Sequence, residues 1–537
     1  MNENQQPPSA WLPLSQPLFR ALWIATVISN VGTWVHEVGA GWLMVTLDPD
    51  PLKVSLVQAA TTLPVFLLAL PGGALADIVD RRRYLICTQL WMLTAALLLA
   101  VVTAAGWISA WGLLVLTFAL ACGAALNTPA WAAMLPEIVP RPQLQSAIAL
   151  NSLGINLARA VGPALAGVVV AVTGPQAAFL LNAFSFAAVI VVLLRWRRQP
   201  HAHTLPAEQF LGAIRAGVRY VREATALQHV MARSAAFFLF ATAPWALLPL
   251  VARATGGGAG SYGLLLSGLG AGAVGAALLL PRVRVRYSRD VLVRGGSLLF
   301  AAAGAGVAFA GSLALLLPAM FAAGAAWLTV LSTLHVSAQL AVPQWVRARA
   351  LSVYLMVFAV CMSGGAILWG AVASRWGVSA ALVAAAAGSL CGVWATWRRP
   401  LGADDAFSRT EPARWPLPQQ HAEIAPERGP VQVHVEYDIA PADAAAFTEA
   451  AQALRRIRRR DGALSWGLFE DAAVPGRYIE TFVVESWAEH LRQHDRAVAE
   501  DASVVGRVRA FHRGDGPPRV AHWIAANTAD DAAGDVL

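Results

Sequence analysis

Twelve apolar runs fill the chain between residues 20 and 397, each near the roughly 20 residues that carry a helix across bilayer hydrocarbon. They lie near 20–46, 54–79, 84–105, 110–135, 146–173, 177–195, 228–252, 260–281, 291–310, 313–340, 348–373 and 378–397. Backbone groups in hydrocarbon must find their partners inside their own segment, so such a chain folds as a bundle of membrane helices. Composition agrees, with 57% hydrophobic and 13% charged residues and a mean hydropathy of +0.54, far from a soluble domain. A formal charge of +8 suggests nucleic acid at first sight. Its placement argues against that partner, because the arginines up to Arg399 sit mostly in the gaps between apolar runs.

Those gaps also set the orientation. Arg81 to Arg83, Arg141, Arg197 and Arg198, Arg282 to Arg294, Arg347 and Arg349, and Arg398 and Arg399 all follow even-numbered runs. The opposite gaps carry Lys53, Arg253 and Arg375. The excess of positive charge on one side predicts that both termini face the cytoplasm in a multi-pass protein of the cell inner membrane. Met1 to Gln16 is polar and proline-bearing, without a basic n-region or cleavage site, and is read as lacking a removed signal peptide.

The chain repeats itself. Arg284 stands 203 residues after Arg81 (284 − 81). At the same offset Gly72 meets Gly275, Arg83 meets Arg286, Val139-Pro140 meets Val342-Pro343, Gly162 meets Gly365 and Gly167 meets Gly370. Two six-helix halves imply a pseudo-two-fold axis along the membrane normal, with a substrate site between them near mid-bilayer. Between the halves, 197–226 pairs apolar spacing with arginines from Phe210 to Arg222, which predicts an amphipathic helix on the membrane surface.

Beyond Arg399 the character changes. Residues 400–429 read as a linker, 430–525 as a small soluble α+β domain, and 526–537 as a disordered tail. Val431 to Tyr437 alternates as a strand and Ala442 to Arg459 reads as a helix. Leu464 to Glu470 and Arg477 to Glu485 form a hairpin around Pro475-Gly476. A helix over Trp487 to Val498 and a strand over Arg519 to Ala525 complete a ferredoxin-like order.

Two motifs carry a resemblance. Gly72-Gly73-Ala74-Leu75-Ala76-Asp77, followed by Arg81, Arg82 and Arg83, resembles the loop between helices 2 and 3 of the major facilitator superfamily. Ile78 stands where many members have a basic residue. Arg159-Ala160-Val161-Gly162-Pro163-Ala164-Leu165-Ala166-Gly167 resembles the helix-5 motif of the superfamily's export branch. With Asn127-Thr128-Pro129-Ala130-Trp131 and Leu135 to Pro140, the chain over 15–398 resembles the subfamily of the enterobactin exporter and of macrolide and multidrug efflux proteins. The resemblance implies the major facilitator fold, with gating roles for Gly73, Asp77, Arg81, Arg82, Arg83, Gly162, Pro163, Gly167 and Arg284. Arg460 to Ala463 and Trp487 to His494 resemble dimeric α/β-barrel monooxygenases and their non-catalytic relatives, which implies a homodimer through the C-terminal domain.

Ionisable groups inside spans are costly and become functional candidates. Glu37 lies about 25 Å along its helix from Arg20, in the outer half of the membrane. With His36 it forms the leading candidate pair for proton coupling or substrate binding; Glu37 is read as a proton carrier or cationic-substrate site, or as a carboxylate reaching outer water or pairing with His36. Arg159 is read as binding an anionic substrate or pairing with Glu37. Arg233 is expected to snorkel to the inner surface, and Glu137 to be solvated at the end of the fourth run. Cys87, Cys122, Cys361 and Cys391 fall inside apolar runs without metal or disulfide spacing. With no phosphate loop ending in Lys-Ser or Lys-Thr, direct ATP drive is not expected. No catalytic residue, cofactor or metal is expected. The reading is a proton-coupled exporter of a drug, siderophore or secreted metabolite. An uptake permease, or a bifunctional transporter whose C-terminal domain senses or modifies the substrate, are its alternatives.

Overall fold

The computed structural model describes residues 11–196, 220–343, 346–402, 424–425, 428–496, 499–514 and 516–526. The first half is built from α1 (Pro17–Leu47), α2 (Pro51–Ile78), α3 (Arg81–Ala104), α4 (Ala110–Ile138), α5 (Leu144–Thr173) and α6 (Pro175–Arg195). The second is built from α7 (Thr225–Ala254), α8 (Ala259–Arg286), α9 (Arg289–Phe309), α10 (Leu313–Leu340), α11 (Arg347–Trp376) and α12 (Val378–Ala395). Each contains a stretch long and apolar enough to cross a membrane.

Several helices begin on a device visible in the sequence. Pro17, Pro51 and Pro175 open α1, α2 and α6, where a missing N–H costs nothing. Asp50, Asp80, Ser109 and Ser288 accept hydrogen bonds from the first-turn amides of α2, α3, α4 and α9. The helices therefore run past the apolar runs. Arg81, Arg82 and Arg83 are not a free turn; they form the first turn of α3, and the connection narrows to Val79 and Asp80. Arg282 to Arg286 likewise continue α8 instead of standing in a gap.

In the helical unit α2 packs on α4, α3 on α6, and α1 on both α5 and α6. The largest buried cluster joins the two halves and includes Val35, Val38, Ala166, Val251, Tyr262 and Trp369. Of the 197–226 segment, residues 220–226 are described: 220–223 are helical, and Thr225 already opens α7. Residues 197–219, most of 400–429 and the tail beyond 526 lie outside the described residues.

The C-terminal elements are β1 (Val431–Asp438), α13 (Ala444–Asp461), β2 (Ser465–Glu470), β3 (Arg477–Val484), α14 (Trp487–Arg496), α15 (Ala499–Arg509) and β4 (Arg519–Ile524). The sheet is antiparallel in the order β2-β3-β1-β4, a ferredoxin-like arrangement. Two helices, α14 and α15, stand between β3 and β4 where the sequence suggests one. Val431, Val433, Val435, Tyr437, Phe447, Leu454 and Phe482 form the core on one face. The register pairs His434 with Thr481 and Gln432 with Trp523 on the other face, which stays open to solvent.

Candidate functional site

Glu37 lies ten residues before the end of α1 at Leu47, about 15 Å from that terminus at 1.5 Å per residue. Its half-buried carboxyl meets a cavity between the halves, walled by Trp34, Gln58, Thr61, Thr117, Trp245 and Tyr262. The cavity is about 40 Å³, room for roughly three waters at about 10–15 Å³ each. Trp34 and Trp245 face one another at 6.3 Å, and Trp245 stacks on Trp327 at 5.4 Å. Gly41, one turn beyond Glu37, leaves room for the Tyr262 hydroxyl; a Cβ there would stand 3.0 Å from that oxygen.

Arg159 on α5 is half-buried and interacts electrostatically with Glu37. Among the described residues the two form no ion pair. His36 also lines the cavity; it is buried, and its ring lies 4.8 Å from Phe179 on α6. Neither His36 nitrogen has a hydrogen-bond partner among the described residues. Gln58, Thr61, Thr117 and Tyr262 are not among the residues that the sequence singles out. The signal available for Tyr262 was a phenol inside an apolar run.

The motif residues have concrete partners. Arg81 forms an ion pair with Glu137 at 2.5 Å, so Glu137 is paired within its own half and not solvated. Arg82 donates to the carbonyls of Leu193 (2.9 Å) and Leu194 (2.7 Å), satisfying the end of α6. Arg83 is exposed. Gly72, not Gly73, makes the close approach, to Leu126 of α4; a Cβ on Gly73 would meet nothing within 4 Å. Asp77 lies in the last turn of α2, and its side chain is outside the described residues. Arg284 donates to Ser332 of α10 at 2.7 Å. Arg233 does not snorkel: it is buried and paired with Asp290 at 2.6 Å, because Asp290 opens α9 beside it.

At the end of the bundle that carries the α1–α2 connection, the halves touch. The Ser374 hydroxyl of α11 donates to Asp50 (2.6 Å) and accepts from the Leu52 amide (3.0 Å). Arg253 of α7 donates to the Val45 carbonyl at 2.5 Å. Gly167 of α5 meets Gly263 of α8 so tightly that a Cβ on Gly263 would stand 2.5 Å from the Gly167 Cα. Gly370 of α11 lies on Ser55 of α2, where a Cβ would stand 1.8 Å from its hydroxyl. Gly162 lies against Trp34, with 2.6 Å between such a Cβ and that of Trp34. Pro163 is buried inside α5.

The profile of a family described as transmembrane secretion effector, of the major facilitator type, matches residues 8–530. A staphyloferrin A transporter of Staphylococcus aureus is 27% identical over 166 residues, which is 30% of this chain and 42% of the relative. The multidrug efflux pump Tap of Mycobacterium tuberculosis is 28% identical over 221 residues, 38% of this chain and 51% of the relative. The chain thus spans about half the length of the curated relatives it matches. A crystal structure of a bacterial homolog of the human lysosomal transporter Spinster, inward-facing and occupied, superposes with a TM-score of 0.58. At 14% identity, over 72% of this chain and 98% of that one, the likeness is one of fold.

Proposed function

The chain belongs to the transmembrane secretion effector family of major facilitator transporters, and from that premise we propose that it exports a small amphipathic molecule in exchange for protons. It is a transporter and not an enzyme, as its family is. The observation that carries the proposal is the cavity between the halves, with the Glu37 carboxyl in its wall. A carboxyl in such a place is neutral when it holds a proton and needs a counter-charge when it does not. Arg159, or a basic group on the cargo, supplies that charge. The cycle then couples two events at the same oxygens: Glu37 takes a proton on one side, and on the other side loses it as the halves rock. The tryptophan wall suits the apolar body of a drug, a siderophore or a secreted metabolite.

The arginine-bearing ends of the helices support a cytoplasmic placement of both termini in the inner membrane. On that reading the end closed by Asp50 and Ser374 is the outer one, and the cargo enters from the cytoplasm. Gly162, Pro163 and Gly167 act where α5 slides on α1 and α8, and Arg81, Arg82 and Arg284 hold each half rigid while it moves. The test is substrate accumulation over a drug and siderophore panel in an efflux-deficient bacterium, with and without an uncoupler. Wild-type chain lowers accumulation of at least one compound, and the uncoupler restores it. Glu37→Gln is expected to lower that export at least tenfold; export by the variant at the wild-type, uncoupler-sensitive rate overturns the assignment.

The C-terminal domain has a separate role as a pairing element. Its open sheet face presents Phe469 and Trp523, each about three-fifths exposed (60% and 61%), a surface that suits a second copy. This supports the resemblance to dimeric α/β-barrel domains. Light scattering of the detergent-solubilised chain should give a dimer mass that falls to a monomer when the chain stops at residue 429. An unchanged mass would move the contact to the helices.

A further inference from the structure

Away from the Glu37 cavity, two guanidinium groups converge on one spot in the second half. Arg233 of α7 has a side chain only 2% exposed and pairs through one nitrogen with Asp290. Its Nε and Nη1 have no hydrogen-bond partner among the described residues. Arg294, one turn beyond Asp290 on α9, donates through Nη2 to the Trp397 carbonyl at 2.7 Å and lies 4.1 Å over the Trp397 ring. Its Nε is likewise buried and unpartnered among the described residues. Both arginines line a cavity with Ser297, Ser389 and Thr396, about 10 Å³ in volume, the size of one oxygen-bearing group.

Buried N–H groups are almost always satisfied, and a buried positive charge in excess of its partner is costly. Among the described residues two guanidinium groups stand against one carboxylate, Asp290, with the Ser297 and Ser389 hydroxyls beside them. That combination selects an anion with several acceptor oxygens over water, and the planar fork of arginine matches phosphate oxygens. Position narrows the source of such a group. The cavity lies where α12 ends, beside Arg398 and Arg399 and the exposed Trp394 and Trp397, the signature of the headgroup level.

We propose that Arg233, Arg294 and the Ser297 and Ser389 hydroxyls form a binding site for a phosphate-class anion, presented by an anionic lipid headgroup or as free phosphate. One phosphoryl oxygen enters the cavity and the remainder stays at its mouth.

The experiment uses the full chain in detergent micelles. Binding of dioleoyl phosphatidylglycerol, of dioleoylglycerol as the phosphate-free control, and of inorganic phosphate is measured by native mass spectrometry and equilibrium dialysis. Phosphatidylglycerol is expected to bind saturably and at least tenfold more tightly than dioleoylglycerol. Saturable binding of inorganic phosphate at the same site would instead assign it to the free anion. Arg294→Gln should weaken either interaction at least fivefold. Because that variant also loses its contact with Trp397, Ser297→Asp provides a second reading. It places a carboxylate among the arginines, so the chain should keep or raise its melting temperature and lose the anion at least tenfold. Equal binding of phosphatidylglycerol and dioleoylglycerol without phosphate binding, or binding unchanged in a folded Ser297→Asp chain, overturns the proposal.

Discussion

Two carboxylates removed from bulk water, Glu37 and Glu480, are answered in opposite ways. Glu480 on β3 is fully buried, and four donors meet it: Arg458 Nε at 3.0 Å and Nη2 at 3.5 Å, Trp466 Nε1 at 3.0 Å and the Tyr437 hydroxyl at 3.2 Å. A carboxylate so saturated has a structural task. Glu37 has no hydrogen bond or ion pair among the described residues and lines a cavity, which is what the proposed exchange of partners would require. The sequence reveals Glu37 because a carboxylate in an apolar run stands out. Gln58, Thr61 and Thr117 stay hidden, since neutral polar residues also satisfy themselves against their own helix, as Thr61 does through the Gln58 carbonyl. The Glu480 cluster carries a pH signature. Burial first, and the Glu480 charge second, push the Tyr437 hydroxyl above its ordinary value of 10.0. The folded domain keeps a proton that the unfolded chain releases near pH 10, so this contribution is whole below about pH 10 and is lost as pH rises beyond it. Subtilisin cleavage within 431–524 should therefore accelerate between about pH 9.5 and 11. Tyr437→Phe should lose about 1.5–3 kcal/mol at neutral pH, the worth of a hydrogen bond to a charged group, and show a flatter alkaline rise. An equally steep rise in the variant would place the alkaline sensitivity elsewhere.

At the scale of elements, hydropathy locates the twelve helices but not their ends. An apolar run measures the hydrocarbon a helix must cross, whereas the helix continues for as long as its backbone groups find partners. This is why α8 extends through Arg284 and Arg286, with exposed side chains, and why α3 starts on Arg81 behind the Asp80 cap. The same extension breaks the symmetry of the duplicated arginines. Arg81 opens a helix and reaches Glu137, while Arg284 closes one and reaches Ser332. In the C-terminal domain the alternating strands are plain, and the hairpin falls around Gly476, whose φ of 86° suits a residue without a side chain. The helix α15 was not legible: Ala499 to Arg509 mixes acidic, apolar and basic residues around Gly506 with weak helical periodicity, and only packing beside α13 supports it. The Arg233–Asp290 pair was hidden for a related reason. Sequence gives Arg233 a depth in its own helix, but the partner that removes the need to snorkel belongs to another.

For the whole molecule, the repeat matters most where the halves meet. Gly167 and Gly370 occupy equivalent places in the duplicated sequence, and each forms a seam with the opposite half, on Gly263 and on Ser55. Two such seams on either side of the pseudo-two-fold axis close one end of the bundle, and Ser374 joins Asp50 across it. Small residues suit this task, because backbone approach without interlocking side chains gives a contact that can also separate. If alternating access uses this closure, then fixing it must stop transport without unfolding anything. Asp50→Cys combined with Ser374→Cys, in a chain whose four native cysteines are replaced, places one thiol at the Ser374 oxygen and the other one bond short of the Asp50 oxygen that now stands 2.6 Å from it. Oxidation should join them, confirmed by mass spectrometry, and lower export at least tenfold; a reductant should restore it. Each single variant should be unaffected by the oxidant, because one thiol has no partner there. Undiminished export by a chain shown to be cross-linked would mean that this end stays shut throughout the cycle, and the rocking of the halves would have to occur about another contact.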